Sequence, residues 1–207
     1  LAGFLREHPN VKLELTNDEG FVDIVERGFD AGIRMGEDLH KDMVALPLGG
    51  PITVAIVASP DYLARFPAPS HPDDLMQHNC IRFRFAGTGA IHKWEFKVNE
   101  EIVEYEVKGN LTITDTLFST EAALEGVGIA YTFEQLALPH IKAKRLTRVL
   151  APFSPTFPGF SLYYPSRHDQ PSKLKAFIEY ARRAVILASL LSAVAEGAQQ
   201  RSFALVA

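Results

Sequence analysis

The sequence predicts an α/β protein with two lobes, in which the chain crosses twice from one lobe to the other. Segments with the spacing of amphipathic helices alternate with short apolar runs that have the length of strands. Two long apolar runs, over 48–58 and 157–164, are interrupted by glycine and proline, as suits a strand that leaves one sheet and enters another. We therefore expect lobe I to contain residues 1–54 and 162–183, and lobe II to contain residues 55–161.

Lobe I is predicted from both ends of the chain. A helix occupies the first few residues, and alternation of apolar and polar side chains over 11–15 indicates a half-buried strand. A short helix over 20–27 stops at Gly28 and gives way to a buried strand that ends at Arg34. The closing amphipathic helix begins at Ser172 as its cap. Its inward face is expected to carry Leu174, Phe177, Ile178 and Ala181.

Lobe II is predicted to mix short helices and strands. Ser59 and Ser70 are expected to cap two short helices, and Asn99 lies in the turn of a hairpin. Strands are expected over 80–85, 92–97, 102–107, 111–114, 128–132 and 148–150, with longer helices over 116–125 and 133–140. The helix over 116–125 is expected to turn Leu117, Phe118, Ala122 and Leu124 inward.

Composition excludes several classes of function. The chain has 21 basic and 25 acidic side chains, without the basic cluster of a nucleic-acid surface. Its single cysteine, Cys80, fits a reducing compartment such as the cytoplasm, and we expect it to be buried. The longest apolar stretch, over 184–195, is too short for a membrane span of about 20 residues. We expect no membrane partner, and residues 184–207 are a C-terminal extension of unknown role.

Side chains that suit a small organic anion follow two predicted strands. Ligands of open α/β sheets bind beyond the carboxyl ends of the strands, where Arg34 lies. Thr114, Asp115 and Thr116 join another strand to a helix, whose first N–H groups favour an anion. The segment 83–85, Phe83-Arg84-Phe85, closes a third strand.

Each of these candidates has a structural alternative. Arg34 would serve equally as a surface or ion-pair residue. Asp115 suits a helix cap, and its charge would oppose an anion brought close. Phe83 and Phe85 would form either an aromatic wall beside the cation of Arg84 or part of the core, with Arg84 facing water.

No motif for a metal ion, a cofactor or catalysis is evident in the sequence. Three pairs lack the further ligands of a zinc site: His78 with Cys80, His168 with Asp169, and His71 with Asp73. The Gly87-Thr88-Gly89 segment lacks the rest of a nucleotide fingerprint. Ser166, His168 and Asp169 lie on one predicted loop without a nucleophile elbow. We expect no cofactor, no metal and no enzymatic activity.

Residues 22–36 read V-D-I-V-E-R-G-F-D-A-G-I-R-M-G, and this run resembles a stretch of the effector-binding domain of LysR-type transcriptional regulators. Three further segments resemble the same family in the same order, over 57–63, over 121–130, and over 160–165 with 174–178. Four ordered matches tie residues 8–183 into one pattern. That pattern is far more specific than any single match.

The resemblance implies a type 2 periplasmic-binding-protein fold with two hinge crossings and an effector cleft between the lobes. In the family, strand-to-helix loops hold the effector, and they correspond here to 34–36, 83–85 and 114–116. This correspondence adds Met35 and Gly36 to the candidate contacts. It also implies a homo-oligomer, a dimer or a tetramer, associated through the helices over 20–27 and 116–125.

Regulators of this family carry a winged helix-turn-helix ahead of this domain, and no such segment precedes Leu1. We expect DNA contact only through that missing N-terminal domain. The first strand of the effector domain is also expected to be missing, so that the sheet of lobe I exposes apolar surface. Two alternatives remain at this point: a solute-binding protein of a transport system, and an enzyme on the same scaffold.

Overall fold

The computed structural model describes residues 1–18, 28–35, 43–85, 87–166, 170–183 and 202–206. The chain divides into two compact units, the first with the described residues of 1–51, 158–183 and 202–206, and the second with residues 52–157. The chain passes between the units at 51/52 and 157/158, inside the two interrupted apolar runs. The predicted boundaries, at 54/55 and 161/162, lie a few residues later. The predicted helix over 20–27 and Gly36 lie outside the described residues.

The elements are named in chain order. The helices are α1 (Ala2–Glu7), α2 (Pro60–Arg65), α3 (Thr116–Leu124), α4 (Glu134–Lys142) and α5 (Ser172–Arg183), with short 3-10 helices at Pro72–Gln77 and Ala151–Phe153. The strands are β1 (Glu14–Asp18), β2 (Ala31–Met35), β3 (Met43–Pro47), β4 (Ile52–Ala58), β5 (Arg82–Phe83), β6 (Trp94–Val98), β7 (Glu101–Tyr105), β8 (Thr112–Ile113), β9 (Ala130–Phe133), β10 (Thr147–Val149), β11 (Thr156–Phe157), β12 (Phe160–Pro165) and β13 (Ser202–Val206).

The first unit is built on a sheet with the strand order β1-β13-β2-β12-β3. Strand β12 runs antiparallel to both of its neighbours and places Leu162 opposite Ile33 and Leu46. The expected inward residues of α5 are all buried, and Phe177 meets Phe4 of α1 edge-on at 5.1 Å between ring centroids. The amphipathic pattern of α5 therefore predicted its buried face correctly.

One sequence expectation for the first unit is corrected, and one open point gains a structural account. Strand β1 begins at Glu14 rather than at Val11, because the N–H of Val11 donates to the carbonyl of His8 and keeps the chain in the turn that leaves α1. The C-terminal extension, for which no role was predicted, contributes β13 to the interior of the sheet.

The second unit is organised around β4, which pairs antiparallel with β9, β10 and β11. Because successive side chains of a strand point to opposite faces, β4 supplies two apolar clusters. Val54 and Ile56 face a cluster that contains Trp94 and Tyr131. The other cluster contains Ala55 and Val57 of β4, together with Phe83, Ile113, Ala123 and Ala137.

The predicted hairpin is present as β6 and β7, which are paired over five positions from Trp94↔Tyr105 to Val98↔Glu101. Its two loop residues, Asn99 and Glu100, have positive φ values of 50° and 69°. Two successive left-handed residues are typical of the tight loop whose twist matches that of the flanking strands.

The cap of the first 3-10 helix is one residue later than predicted. Its N-cap is His71, whose side chain accepts a hydrogen bond from the N–H of Asp73. Ser70 instead donates its N–H to the Asp74 carboxylate at 2.8 Å. The carboxylate of Asp74 therefore satisfies the backbone groups at this helix start, with Ser70 just outside it.

At Ser59 the predicted cap is confirmed, because its hydroxyl accepts the N–H of Tyr62.

Phe118 does not face inward, and 64% of it is exposed. The buried face of α3 is instead formed by small and hydroxyl side chains at helical spacing, namely Thr116, Ser119, Thr120 and Ala123. Ala122 and Leu124 pack against the second apolar cluster as predicted, so the prediction was wrong at Phe118.

Candidate functional site

Two short parallel strands bring the predicted segments 83–85 and 114–116 to one edge of the second unit. Strand β5 pairs with β8 so that Phe83 lies opposite Ile113. The pairing continues beyond the strands, since the N–H of Arg84 donates to the carbonyl of Ile113 at 2.8 Å. Because parallel strands end at the same edge of a sheet, Arg84 and Thr114 leave it side by side.

Helix α3 begins two residues after β8 and packs against both β5 and β8. Its first N–H groups therefore lie at the strand ends, where they have no partners within the helix. Thr114 is exposed and Asp115 is half-buried at this junction. The arrangement provides main-chain donors and a hydroxyl beside the cation of Arg84.

Thr116 is only 1% exposed, and its buried Oγ1 has no hydrogen-bond partner among the described residues. One turn further along α3, the hydroxyl of Thr120 lies 3.2 Å from that of Thr132 on β9. An unsatisfied buried hydroxyl costs about 1–3 kcal/mol. A polar ligand atom that reached Thr116 would remove that cost.

The segment 83–85 divides between core and surface. Phe83 is 4% exposed and belongs to the apolar cluster, so it is part of the core rather than an aromatic wall beside Arg84. Phe85 is half-buried and meets Phe83 edge-on at 5.4 Å. Arg84 is exposed, and its Nη1 donates to the carbonyl of Gly89 at 2.7 Å. The guanidinium is thus held at the strand end with donors left for another acceptor.

His92 lies against this segment, and sequence reasoning missed it. Its N–H donates to the carbonyl of Phe83 at 2.9 Å, and its ring meets Phe85 edge-on at 5.7 Å and Tyr131 at 5.5 Å. Burial lowers the pKa of His92 to about 4, and the charge of Glu104 opposes this only partly. Its Nδ1 is buried without a partner within the described part of the chain. No sequence motif marked this histidine, whose contacts lie on the segment 83–85 just before it and on Tyr131 of β9.

A buried polar atom also occurs at Arg82, whose Nε has no hydrogen-bond partner in the described ranges. Arg82 lies on β5 opposite Thr112, one residue before Phe83. Its position inside a predicted apolar strand gave no reason to select it. Arg82 and Arg84 therefore lie on either side of Phe83 along the chain.

The remaining candidates belong to the first unit. Arg34 and Met35 are half-buried at the end of β2, opposite Ser161 and Phe160 of β12. The sequence correctly placed Arg34 at a strand end. Gly36 lies outside the described residues.

The remaining sequence features concern metal binding, membrane insertion and the single cysteine. Within the described ranges, no group of three or more histidine, cysteine, aspartate and glutamate residues is placed to hold a metal ion. None of the described helices combines the length and apolar character needed to cross a bilayer. Cys80 is buried as expected, and burial raises the pKa of its thiol to about 12.

A model of the LysR substrate binding domain matches residues 1–185. The chain is 42% identical over 183 residues to a putative transcriptional regulator of Pseudomonas aeruginosa, which covers 88% of this chain and 60% of that protein. It is 39% identical over 189 residues to the uncharacterized HTH-type transcriptional regulator YcaN of Escherichia coli, covering 91% of this chain and 61% of that protein. The chain therefore spans about 60% of the length of these relatives.

Two solved regulatory domains share the fold. The regulatory domain of AphB in Vibrio vulnificus has a TM-score of 0.75 at 24% identity, over 88% of each chain. The regulatory domain of CrgA, a LysR-type transcriptional regulator from Neisseria meningitidis, has a TM-score of 0.72 at 24% identity, again over 88% of each chain. The predicted type 2 periplasmic-binding-protein fold is confirmed. The names of the relatives favour the regulator over the transport protein.

Proposed function

This chain belongs to the LysR substrate binding domain family and is an effector-sensing domain, and we propose that its effector is a small organic anion bound where β5 and β8 end. The parallel pairing of these two strands carries the proposal. It places the cation of Arg84, the hydroxyl of Thr114 and the start of α3 at one sheet edge. Carboxylates are bound well by such a combination of main-chain N–H groups and one guanidinium.

Each side chain has a distinct role in this proposal. Arg84 supplies charge, and its existing bond to the Gly89 carbonyl holds it at the edge. Thr116 donates or accepts through the Oγ1 that has no partner among the described residues. Phe85 and His92 offer aromatic surface next to the charged end. An aromatic or branched carboxylic acid fits this set better than a strongly hydrated inorganic anion.

Arg34, Met35 and Gly36 enter the proposal through the family pattern of effector-binding loops. Arg34 is a half-buried cationic residue at the end of β2 in the first unit. Arg34→Ala is expected to abolish anion binding and to leave the melting of the ligand-free domain unchanged. Unaltered affinity in calorimetry would remove Arg34 from the site.

For the whole protein, we propose a cytoplasmic transcriptional regulator without enzymatic activity. Both relatives are named transcriptional regulators, that of Escherichia coli as HTH-type, and both are longer than this chain, which supports DNA binding through a further domain. Effector binding would then favour one of several arrangements of the protein and change how it engages an operator.

We also propose that the chain forms a homodimer or tetramer through the outer face of α3, with the predicted helix over 20–27 as the second element. The support is Phe118, a large apolar side chain that is 64% exposed on that face. Phe118→Asp is expected to leave the melting midpoint of the domain unchanged and to lower its sedimentation coefficient. Exposed Leu5→Asp, on α1, is the matched control and should leave assembly intact. Equal sedimentation of all three proteins would contradict the proposed interface.

The effector proposal is tested by thermal melting against small aliphatic, aromatic and amino-acid carboxylates. A ligand present at 100 times its dissociation constant adds about 2.7 kcal/mol to the free energy of unfolding, which raises the midpoint by several degrees. A compound class that shifts the midpoint selectively names the effector chemistry. The absence of a shift with any carboxylate, together with a shift by a cationic or neutral ligand, would refute the anion site.

Two substitutions then separate binding from folding. Thr116→Val keeps the shape and removes the unsatisfied hydroxyl, so stability should be equal or higher while affinity for the active compound falls about tenfold. Arg84→Met is expected to lower affinity more strongly. Thr53→Val removes a hydroxyl that instead pairs with Thr156, at 3.2 Å, and is expected to leave affinity unchanged. Full affinity in both site variants would place the ligand elsewhere.

A further inference from the structure

Strand β13 lies in the interior of the sheet of the first unit, between β1 and β2. It pairs antiparallel with β1 over five positions, from Glu14↔Val206 to Asp18↔Ser202. On its other side it pairs antiparallel with β2, where Phe203 lies opposite Ile33 and Leu205 opposite Ala31. Within the described residues β1 pairs with no other strand. Strand β13 is therefore the element that joins β1 to the sheet.

This strand comes from outside the part of the chain that matches the family. The match ends at residue 185, and β13 begins at Ser202. The sequence led us to expect a sheet that lacks an inner strand and exposes apolar surface. In the structure an inner position of that sheet is instead held by the C-terminal segment.

The sequence of β13 suits an inner position. Phe203-Ala204-Leu205-Val206 is a continuous apolar run, which is typical of strands covered on both faces. Its neighbours in the sheet include Ala31 and Ile33 of β2, which are 0% and 1% exposed. The two facing edges of β1 and β2 carry rows of main-chain N–H and C=O groups, and these groups need a strand between them.

We propose that the facing edges of β1 and β2 form a binding site for an extended apolar segment, and that each chain fills this site with its own C-terminal strand. Recognition is by main-chain hydrogen bonds, as in other cases of strand addition. This proposal does not depend on the effector site proposed at the ends of β5 and β8.

Engineered disulfides test the pairing in the full chain. Directly opposed residues of antiparallel strands have Cα atoms about 4.5–5.5 Å apart, within the range that a disulfide spans. Leu15→Cys combined with Leu205→Cys is expected to oxidise to an intramolecular disulfide, since these residues are paired. Leu15→Cys with Ala204→Cys is the matched control, because a shift of one residue turns the second thiol to the opposite face.

Non-reducing electrophoresis and mass spectrometry read the result. A crosslinked monomer in the first pair, and little or none in the control, supports the proposal. No crosslink, or equal crosslinking in both pairs, overturns the register. A disulfide-linked dimer in the first pair overturns the claim that each chain fills its own site. The native Cys80 is fully buried and takes no part.

A proline substitution tests whether the site accepts an added segment. Ala204→Pro removes a main-chain donor inside the sheet, and we expect the melting midpoint to fall by about 10 °C. A fluorescent peptide with the sequence of residues 200–207 should bind this variant and restore much of the midpoint. It should bind the unsubstituted chain at least tenfold more weakly, and a scrambled peptide should bind neither. Failure to bind the variant, or equal binding to both proteins, would refute the proposal.

Discussion

Acidification should destabilise the second unit through His92, and the size of the effect follows from its surroundings. Its ring is buried against Phe85 and Tyr131, and burial lowers its pKa from 6.5 to about 4. The unfolded chain therefore binds this proton more tightly than the folded chain does. The stability contributed by neutral His92 is complete above pH 6.5 and is lost as the pH falls towards 4. Between pH 7 and pH 5 the loss comes to about 2 kcal/mol.

Comparison with His92→Phe isolates this contribution. Phenylalanine keeps the aromatic contacts and cannot titrate, so its free energy of unfolding should fall about 2 kcal/mol less between pH 7 and pH 5. Urea titrations followed by the fluorescence of Trp94, the sole tryptophan, measure both proteins. Burial raises the pKa of nearby Glu95, which stabilises the folded state on acidification, and the effect is common to both proteins. Parallel pH profiles would refute the reasoning.

Two further substitutions test packing and charge in the second unit, and a third, at Gly50 of the first unit, is a control. A Cβ on Gly109 would lie 1.8 Å from the carbonyl oxygen of Cys80, so Gly109→Ala should lower the free energy of unfolding by at least about 2 kcal/mol. A Cβ on Gly50 would meet no atom within 4 Å, so Gly50→Ala should lower it by less than about 0.5 kcal/mol. Urea denaturation measures both. Equal costs would contradict this close approach. Arg148 is paired with Glu134, and its Nη2 donates to the carbonyl of Val54, so Arg148→Met should lower the unfolding free energy by about 1–3 kcal/mol, and an unchanged urea midpoint would show that the pair contributes nothing.

Local patterns predicted the elements whose buried face is defined by hydrophobicity. The strand that ends at Arg34 and the inward face of α5 were predicted from the spacing of apolar residues alone. The exposed Phe118 did not follow, because the inner face of α3 is made of hydroxyl and alanine side chains that carry little hydrophobic signal. The start of β1 was missed because the main-chain bond from Val11 to His8 leaves no trace in side-chain pattern.

The candidate site was predictable only in part, for a related reason. Strand ends and a strand-to-helix junction identify Arg84 and Thr114 from sequence, and the parallel pairing then places them at one edge. The contact of His92 with Tyr131 and the burial of the Thr116 hydroxyl follow from tertiary packing, which a single sequence does not encode locally. The position of β13 is the extreme case, since its partners lie more than a hundred residues away along the chain.

The burial of Cys80 has a practical consequence for chemical labelling. A thiol that is fully enclosed and whose pKa is about 12 presents almost no thiolate to a maleimide at neutral pH. The native chain therefore already behaves as an unreactive background for labelling, although it contains a cysteine. A cysteine introduced at an exposed position would carry a dye or spin label without removal of Cys80. With two such cysteines, the distance between the labels could be followed while effectors are added.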